Sequence, residues 1–232
     1  MDTHPWHRIG TGARLGVALI VIVLVALVSA CDTNDVVTAH SPDLLEGIGF
    51  TGAVTDADVA YLQDGLQFLH DYVSEWYGYI ADAKPLMLSV DLAEGARGLA
   101  AKSKCCDERG YGLITFGDHF GDWANDDAEQ TGSTRRIAFL SMLIHEVTHI
   151  GDWRAGRIPA KIDYVSCTQS ERAAFTREVE FKRALVSEMP ACPALNKLDR
   201  VALEMQISAE SGALAGNAVN LYCLPVAISG SE

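Results

Sequence analysis

Ser133-Thr134-Arg135-Arg136-Ile137-Ala138-Phe139-Leu140-Ser141-Met142-Leu143-Ile144-His145-Glu146-Val147-Thr148-His149-Ile150-Gly151 is the stretch on which the reading of this 232-residue chain turns. Ile137, Leu140, Ile144 and Val147 recur at spacings of three and four, which predicts a helix with one apolar stripe. Ser133 stands at its head as a cap and Gly151 at its foot as a terminator. Inside it, His145-Glu146-Val147-Thr148-His149 has the form H-E-x-x-H. Positions i and i+4 leave a helix on one face, so both imidazoles can reach one metal ion. Glu146, one step round the helix, is then placed to take a proton from water activated at that ion.

Downstream, a second helix is expected from about Gln169 to Met189, before Pro190. It carries Glu171 in Glu171-Arg172-Ala173-Ala174, 22 residues past His149, and Glu178 two turns later. Thr168-Gln169-Ser170-Glu171 also reads as a capping box, which would occupy Glu171 at the helix start. Glu178 in turn reads as a surface pair with Lys182 at i+4.

From His145 to about Leu185 the sequence resembles the zincin metallopeptidases. Their metzincin branch continues with G-x-x-H, and Ile150 to Ala155 contains no His, which excludes it. The gluzincin branch takes a Glu from a later helix in an E-x-x-A-type stretch, and Glu171 fits that pattern, with Ala174 small enough for close helix approach. The resemblance implies Zn2+ held by His145, His149 and Glu171, with Glu178 the alternative third ligand. It implies Glu146 as catalytic base, a peptide or protein substrate, and a cleft-edge strand that binds substrate backbone. The strand at Gly112–Gly117 is the candidate for that role. Asp152 reads either as a support for a ligand imidazole or as a helix-end surface residue. Tyr164, His119 and Tyr222 are candidates to stabilise an oxyanion, without a motif behind them.

Upstream, Val59, Leu62, Leu66, Leu69, Val73, Trp76 and Ile80 form one helical stripe from a Thr55/Asp58 cap to Pro85. His70 and Tyr77 beside it are read as packing residues. Leu86–Val90 and Gly112–Gly117 read as strands, and 91–110 as a loop around Cys105 and Cys106. A last helix is expected from Pro193-Ala194. The class is α+β, helix-dominated, with a small sheet and a metal-binding helix.

The N-terminus has its own pattern. Arg8 and Arg14 precede an apolar run from Leu15 to Ala30, short for a membrane span and suited to a secretory signal. Leu27-Val28-Ser29-Ala30-Cys31 resembles the lipobox of bacterial lipoprotein signals, which implies lipidation at Cys31. Asp32 resembles an inner-membrane retention signal. The expected organisation is a signal peptide over 1–30, a tether over 31–54 and a metallopeptidase domain over 55–232, lipid-anchored in the cell envelope. Cys105, Cys106, Cys167, Cys192 and Cys223 remain beyond Cys31, an odd number in a compartment that permits disulfides. Cys105 and Cys106 are not expected to pair with each other. The formal net charge of −13 argues against a nucleic-acid partner, since phosphate binding needs clustered Lys and Arg. A second function class stays open: a non-catalytic binding or assembly lipoprotein of the same shape, with a metal that is structural or absent.

Overall fold

The computed structural model describes residues 43–98, 100–122, 132–159, 162–190 and 200–215, together with Leu195, Asn220 and Cys223. The lipobox, Cys31, Cys192 and Tyr222 lie outside the described residues. Those residues form an α+β domain dominated by helices. In chain order they are β1 (Ile48–Gly52), α1 (Asp56–Tyr72), α2 (Ser74–Asp82), β2 (Leu86–Val90) and α3 (Leu92–Gly95). There follow β3 (Ala101–Lys104), β4 (Gly112–Phe116), α4 (Gly132–Arg154), α5 (Tyr164–Glu188) and α6 (Arg200–Ala215). No helix among the described residues is long and apolar enough to cross a membrane.

The sheet has the order β1-β2-β4-β3. β1, β2 and β4 run parallel, with Leu88 opposite Phe50 and Ile114, while β3 pairs antiparallel to β4 and is an edge strand among the described residues. Period-two alternation puts Leu86, Leu88, Val90, Ile114 and Phe116 into the core. α4 crosses this apolar face, and Ile137, Phe139, Leu140, Leu143, Ile144, Val147 and Ile150 are all buried. Gly112 permits the approach, because a Cβ there would lie 2.6 Å from the Ile150 side chain. On its other side α4 packs against α5, and α5 against α6.

Several expectations change. β1 lies within 31–54, so that stretch is not all tether: Leu44 is buried and Ile48–Gly52 pairs with β2. The long helix expected up to Pro85 is two helices, broken at Val73 (φ −146°, ψ 58°). Val73 N–H closes α1 on Leu69 O, and its carbonyl accepts from Trp76 N–H to open α2. The apolar stripe runs through the break undisturbed, so periodicity did not reveal it. The loop expected over 91–110 holds α3 and β3; Ala101-Lys102-Ser103-Lys104 lacks the β-branched alternation that marks a strand, and its exposed lysines suit an edge.

Gly151 does not end α4. The helix continues to Arg154, and the left-handed residue is Gly156 (φ 69°). Gly156 N–H reaches Trp153 O and Arg157 N–H reaches Asp152 O, the paired bonds of a Schellman motif. Ser133 falls inside the first turn of α4 rather than before it. α5 starts earlier than expected, capped by a reciprocal Asp163/Ser166 box; α6 spans Arg200–Ala215, and the helix start expected at Pro193-Ala194 lies outside the described residues. Cys105 and Cys106 are disulfide-bonded to each other, against expectation, and Cys167 pairs with Cys223.

Candidate metal centre

The earlier start of α5 decides what Glu171 can do. With the cap at Asp163, Glu171 lies two turns inside the helix and its carboxylate is free of any capping role. α4 and α5 pack with Ala174 fully buried and the Phe175 ring edge-on to His145, centroids 4.8 Å apart. That packing brings Glu171 Oε2 to 3.4 Å from His145 Nε2 and Glu171 Oε1 to 3.5 Å from His149 Nε2. Ligand atoms of all three residues lie within 4.8 Å of one another. Donors that each sit about 2.1 Å from a tetrahedral ion are about 3.4 Å apart, so the arrangement fits a metal ion.

The other ring nitrogens are occupied. His145 Nδ1 bonds Glu178 Oε1 at 2.7 Å, and His149 Nδ1 bonds Ser170 Oγ at 2.7 Å. A carboxylate or hydroxyl on Nδ1 fixes the ring and leaves Nε2 for the ion. Glu178, the alternative ligand in the sequence reading, therefore meets His145 on the nitrogen turned away from Glu171. Glu178 and Lys182 do pair at i+4, but both are buried.

The electrostatics are those of a proton-bearing cluster. Burial opposes charge on His145, but the Glu171 and Glu178 carboxylates outweigh it and hold its imidazole up to about 10. Burial, then the charge on His145, pushes His149 down to about 4. Burial works against the Glu171 carboxylate, but the two imidazoles hold it below the ordinary value. Glu146 is raised, first by burial, with His145 and the Ser103 hydroxyl pulling the other way. A divalent cation at the three donor atoms would take the place of the proton that the His145 side carries.

Glu146 and His149 line a cavity of about 190 Å³ with Glu171, Ser170, Ala101, Lys102, Ser103, Trp153, Ile158 and Ile162 among its walls. β3, not β4, borders it. The Gly112–Gly117 strand expected at the cleft edge is interior, hydrogen-bonded on one side by β2 and on the other by β3. Asp152 pairs with Arg157 Nη2 at 2.6 Å near the end of α4 and makes no hydrogen bond to either imidazole among the described residues, but it is buried rather than a surface residue. His119 is bound to Asp58, and neither it nor Tyr164 lines this cavity. Ser170 was missed because a lone serine beside a glutamate has no signature; only the inter-helix register gives it a partner.

Glu178→Gln tests the outer support. An amide can still accept from Nδ1–H but carries no charge, and affinity for a metal ion at the three donors is expected to fall about ten- to a hundredfold. Competition against a chromophoric chelator measures it, and unchanged affinity would show that Glu178 does not support the site.

No protein-family model matches the chain, and no curated protein or solved structure matches it at a significant level.

Proposed function

We propose that this chain is a zinc-dependent peptidase of the cell envelope, with zinc held by His145, His149 and Glu171 and with Glu146 as general base. The observation that carries the reading is that donor atoms of His145, His149 and Glu171 converge, while the carboxylate of Glu146, not one of the three, lines a cavity together with His149 and Glu171. Two nitrogens and one carboxylate suit zinc, and catalytic zinc sites keep three protein ligands where structural ones are closed by four. The described residues offer three. Bound zinc supplies a Lewis acid that polarises an amide carbonyl and acidifies water.

The chain's own groups do the rest. Glu146 takes the proton of the attacking water and hands it to the leaving amine. Burial favours that shuttle: a raised carboxyl is a stronger base toward water, and once protonated it still donates readily to the more basic amine. β3 lies beside the cavity and is the last strand of the sheet among the described residues, which suits an extended peptide that can add as a strand along Ala101–Lys104. The Leu15–Cys31 pattern supports export and lipid anchoring, so substrates would be envelope proteins or peptides.

The test uses the full chain. One zinc per chain is expected by elemental analysis, with hydrolysis of an unstructured protein such as casein lost on chelation and restored by zinc. A purified, folded chain that takes up no stoichiometric zinc would overturn the reading. One that binds zinc tightly but cleaves no polypeptide would favour the non-catalytic alternative.

A further inference from the structure

On the side of His145 turned away from Glu171, α5 buries a lysine. Lys182 is 3% exposed, and a lysine so buried needs charged partners. It has two: its ammonium lies 3.7 Å from Glu178 Oε2 and donates to Glu210 Oε1 on α6. Glu178 is held at both ends, with Oε1 on His145 Nδ1 and Oε2 facing the ammonium. A continuous line His145–Glu178–Lys182–Glu210 thus runs from α4 through α5 to α6.

Stability alone is a poor reason for this line. A buried ion pair often does no better than apolar side chains of the same volume, and the surroundings include Phe181 and Leu185, both fully buried. Glu210 Oε2 is also buried without a hydrogen-bond partner among the described residues, a further burden on the fold. What an apolar residue at 182 could not do is fix the rotation of the Glu178 carboxylate, and through it the direction in which His145 presents Nε2.

We propose that Lys182, anchored by Glu210, is a positioning residue for the metal centre, acting on His145 through Glu178. The proposal rests on the metal-centre reading above. It makes α6 part of the site although no α6 residue lines the cavity. Besides Lys182–Glu210, three further fastenings among the described residues tie α6 and the chain beyond it to α5. Arg172 donates to Leu214 O at 2.9 Å, Arg183 bonds Ser211 Oγ at 3.1 Å, and Cys167–Cys223 ties the chain beyond α6 back to α5.

The test compares the full-length wild type with Lys182→Met, Lys182→Arg and the double variant Lys182→Met/Glu210→Met. Zinc affinity is measured by chelator competition, and the visible absorption of the Co2+-loaded protein reports ligand geometry. Both Met variants are expected to bind zinc about ten- to a hundredfold more weakly and to change the Co2+ bands, while Lys182→Arg stays within about threefold of wild type. The double variant leaves no unpaired ammonium or Glu210 carboxylate, so it decides the matter if Lys182→Met alone does not fold. A double variant that melts like wild type yet keeps wild-type zinc affinity and Co2+ bands overturns the proposal. Absence of zinc binding by the wild type would instead overturn the metal centre itself.

Discussion

Glu146→Gln is expected to lower kcat on an unstructured polypeptide by about a thousandfold while zinc remains bound with wild-type affinity. Glu146 is 4% exposed, lines the cavity, and is not one of the three convergent donors. Glutamine preserves its volume and can accept a hydrogen bond, but it cannot take a proton from water. The loss corresponds to about 4 kcal/mol of transition-state stabilisation, within the range of general-base catalysis. KM should move little, because shape is kept and the lost interaction belongs to the transition state. Steady-state kinetics together with metal analysis separates the cases. Activity within tenfold of wild type would remove Glu146 from the role of base.

Asp58→Ala should produce the largest loss of stability. Asp58 is 2% exposed and lies at the first turn of α1, where it closes the capping box with Thr55. Its Oδ2 accepts from Thr55 N–H at 2.8 Å and Thr55 Oγ1 at 2.7 Å, and it meets His119 Nδ1 at 2.9 Å. Its Oδ1 accepts from Phe120 N–H at 2.7 Å, which fastens the chain after β4 to α1. Alanine removes a cap and leaves a buried N–H unsatisfied, a cost of about 3–4 kcal/mol. For a domain of this size that lowers Tm by roughly 10 °C.

The pH dependence follows from the same contacts. Burial raises the Asp58 carboxyl, but the hydrogen bonds from Thr55, His119 and Phe120 outweigh it and hold the group below its ordinary 3.8. A depressed carboxyl contributes stability that is present above its unfolded value and is lost as pH falls through the folded one. His119 is raised above 6.5, first by its bond to Asp58, so its contribution is full below 6.5 and fades as pH rises through the folded value. Denaturant unfolding should therefore show wild type losing part of its advantage over Asp58→Ala below pH 3.8, and a smaller part above pH 6.5. A constant difference across pH would mean that the carboxylate's charge plays no part.

Much of the fold was legible where local rules suffice. The Thr55/Asp58 box, the β2 and β4 strands and the stripe of α4 depend on neighbours in sequence, and they appear where read. The failures share a cause as well. Two cap signatures lie close together, Asp163/Ser166 and Thr168/Glu171, and both satisfy the local chemistry of a helix start. The first begins α5, whose opening turn is also stapled through Cys167 to Cys223. β3 was invisible because an edge strand with outward lysines needs only one partner, and β4 supplies it by backbone bonds that carry no side-chain signal. Val73 breaks a helix without breaking its apolar stripe, since α2 resumes with Trp76 and Ile80 still facing the core.

The sequence by itself determined that His145 and His149 stand on one face of one helix with Glu146 beside them, because the 3.6-residue period makes i and i+4 neighbours wherever the helix lies. It also narrowed the third donor to Glu171 or Glu178, two turns apart on one helical face. Only the tertiary structure shows which of them joins the two imidazoles in a cluster that could hold a metal ion. The offset of α5 along α4, with the Phe175 ring edge-on to His145, puts Glu171 at both Nε2 atoms and Glu178 at Nδ1. That offset is a property of two surfaces in contact, and no spacing within either helix contains it.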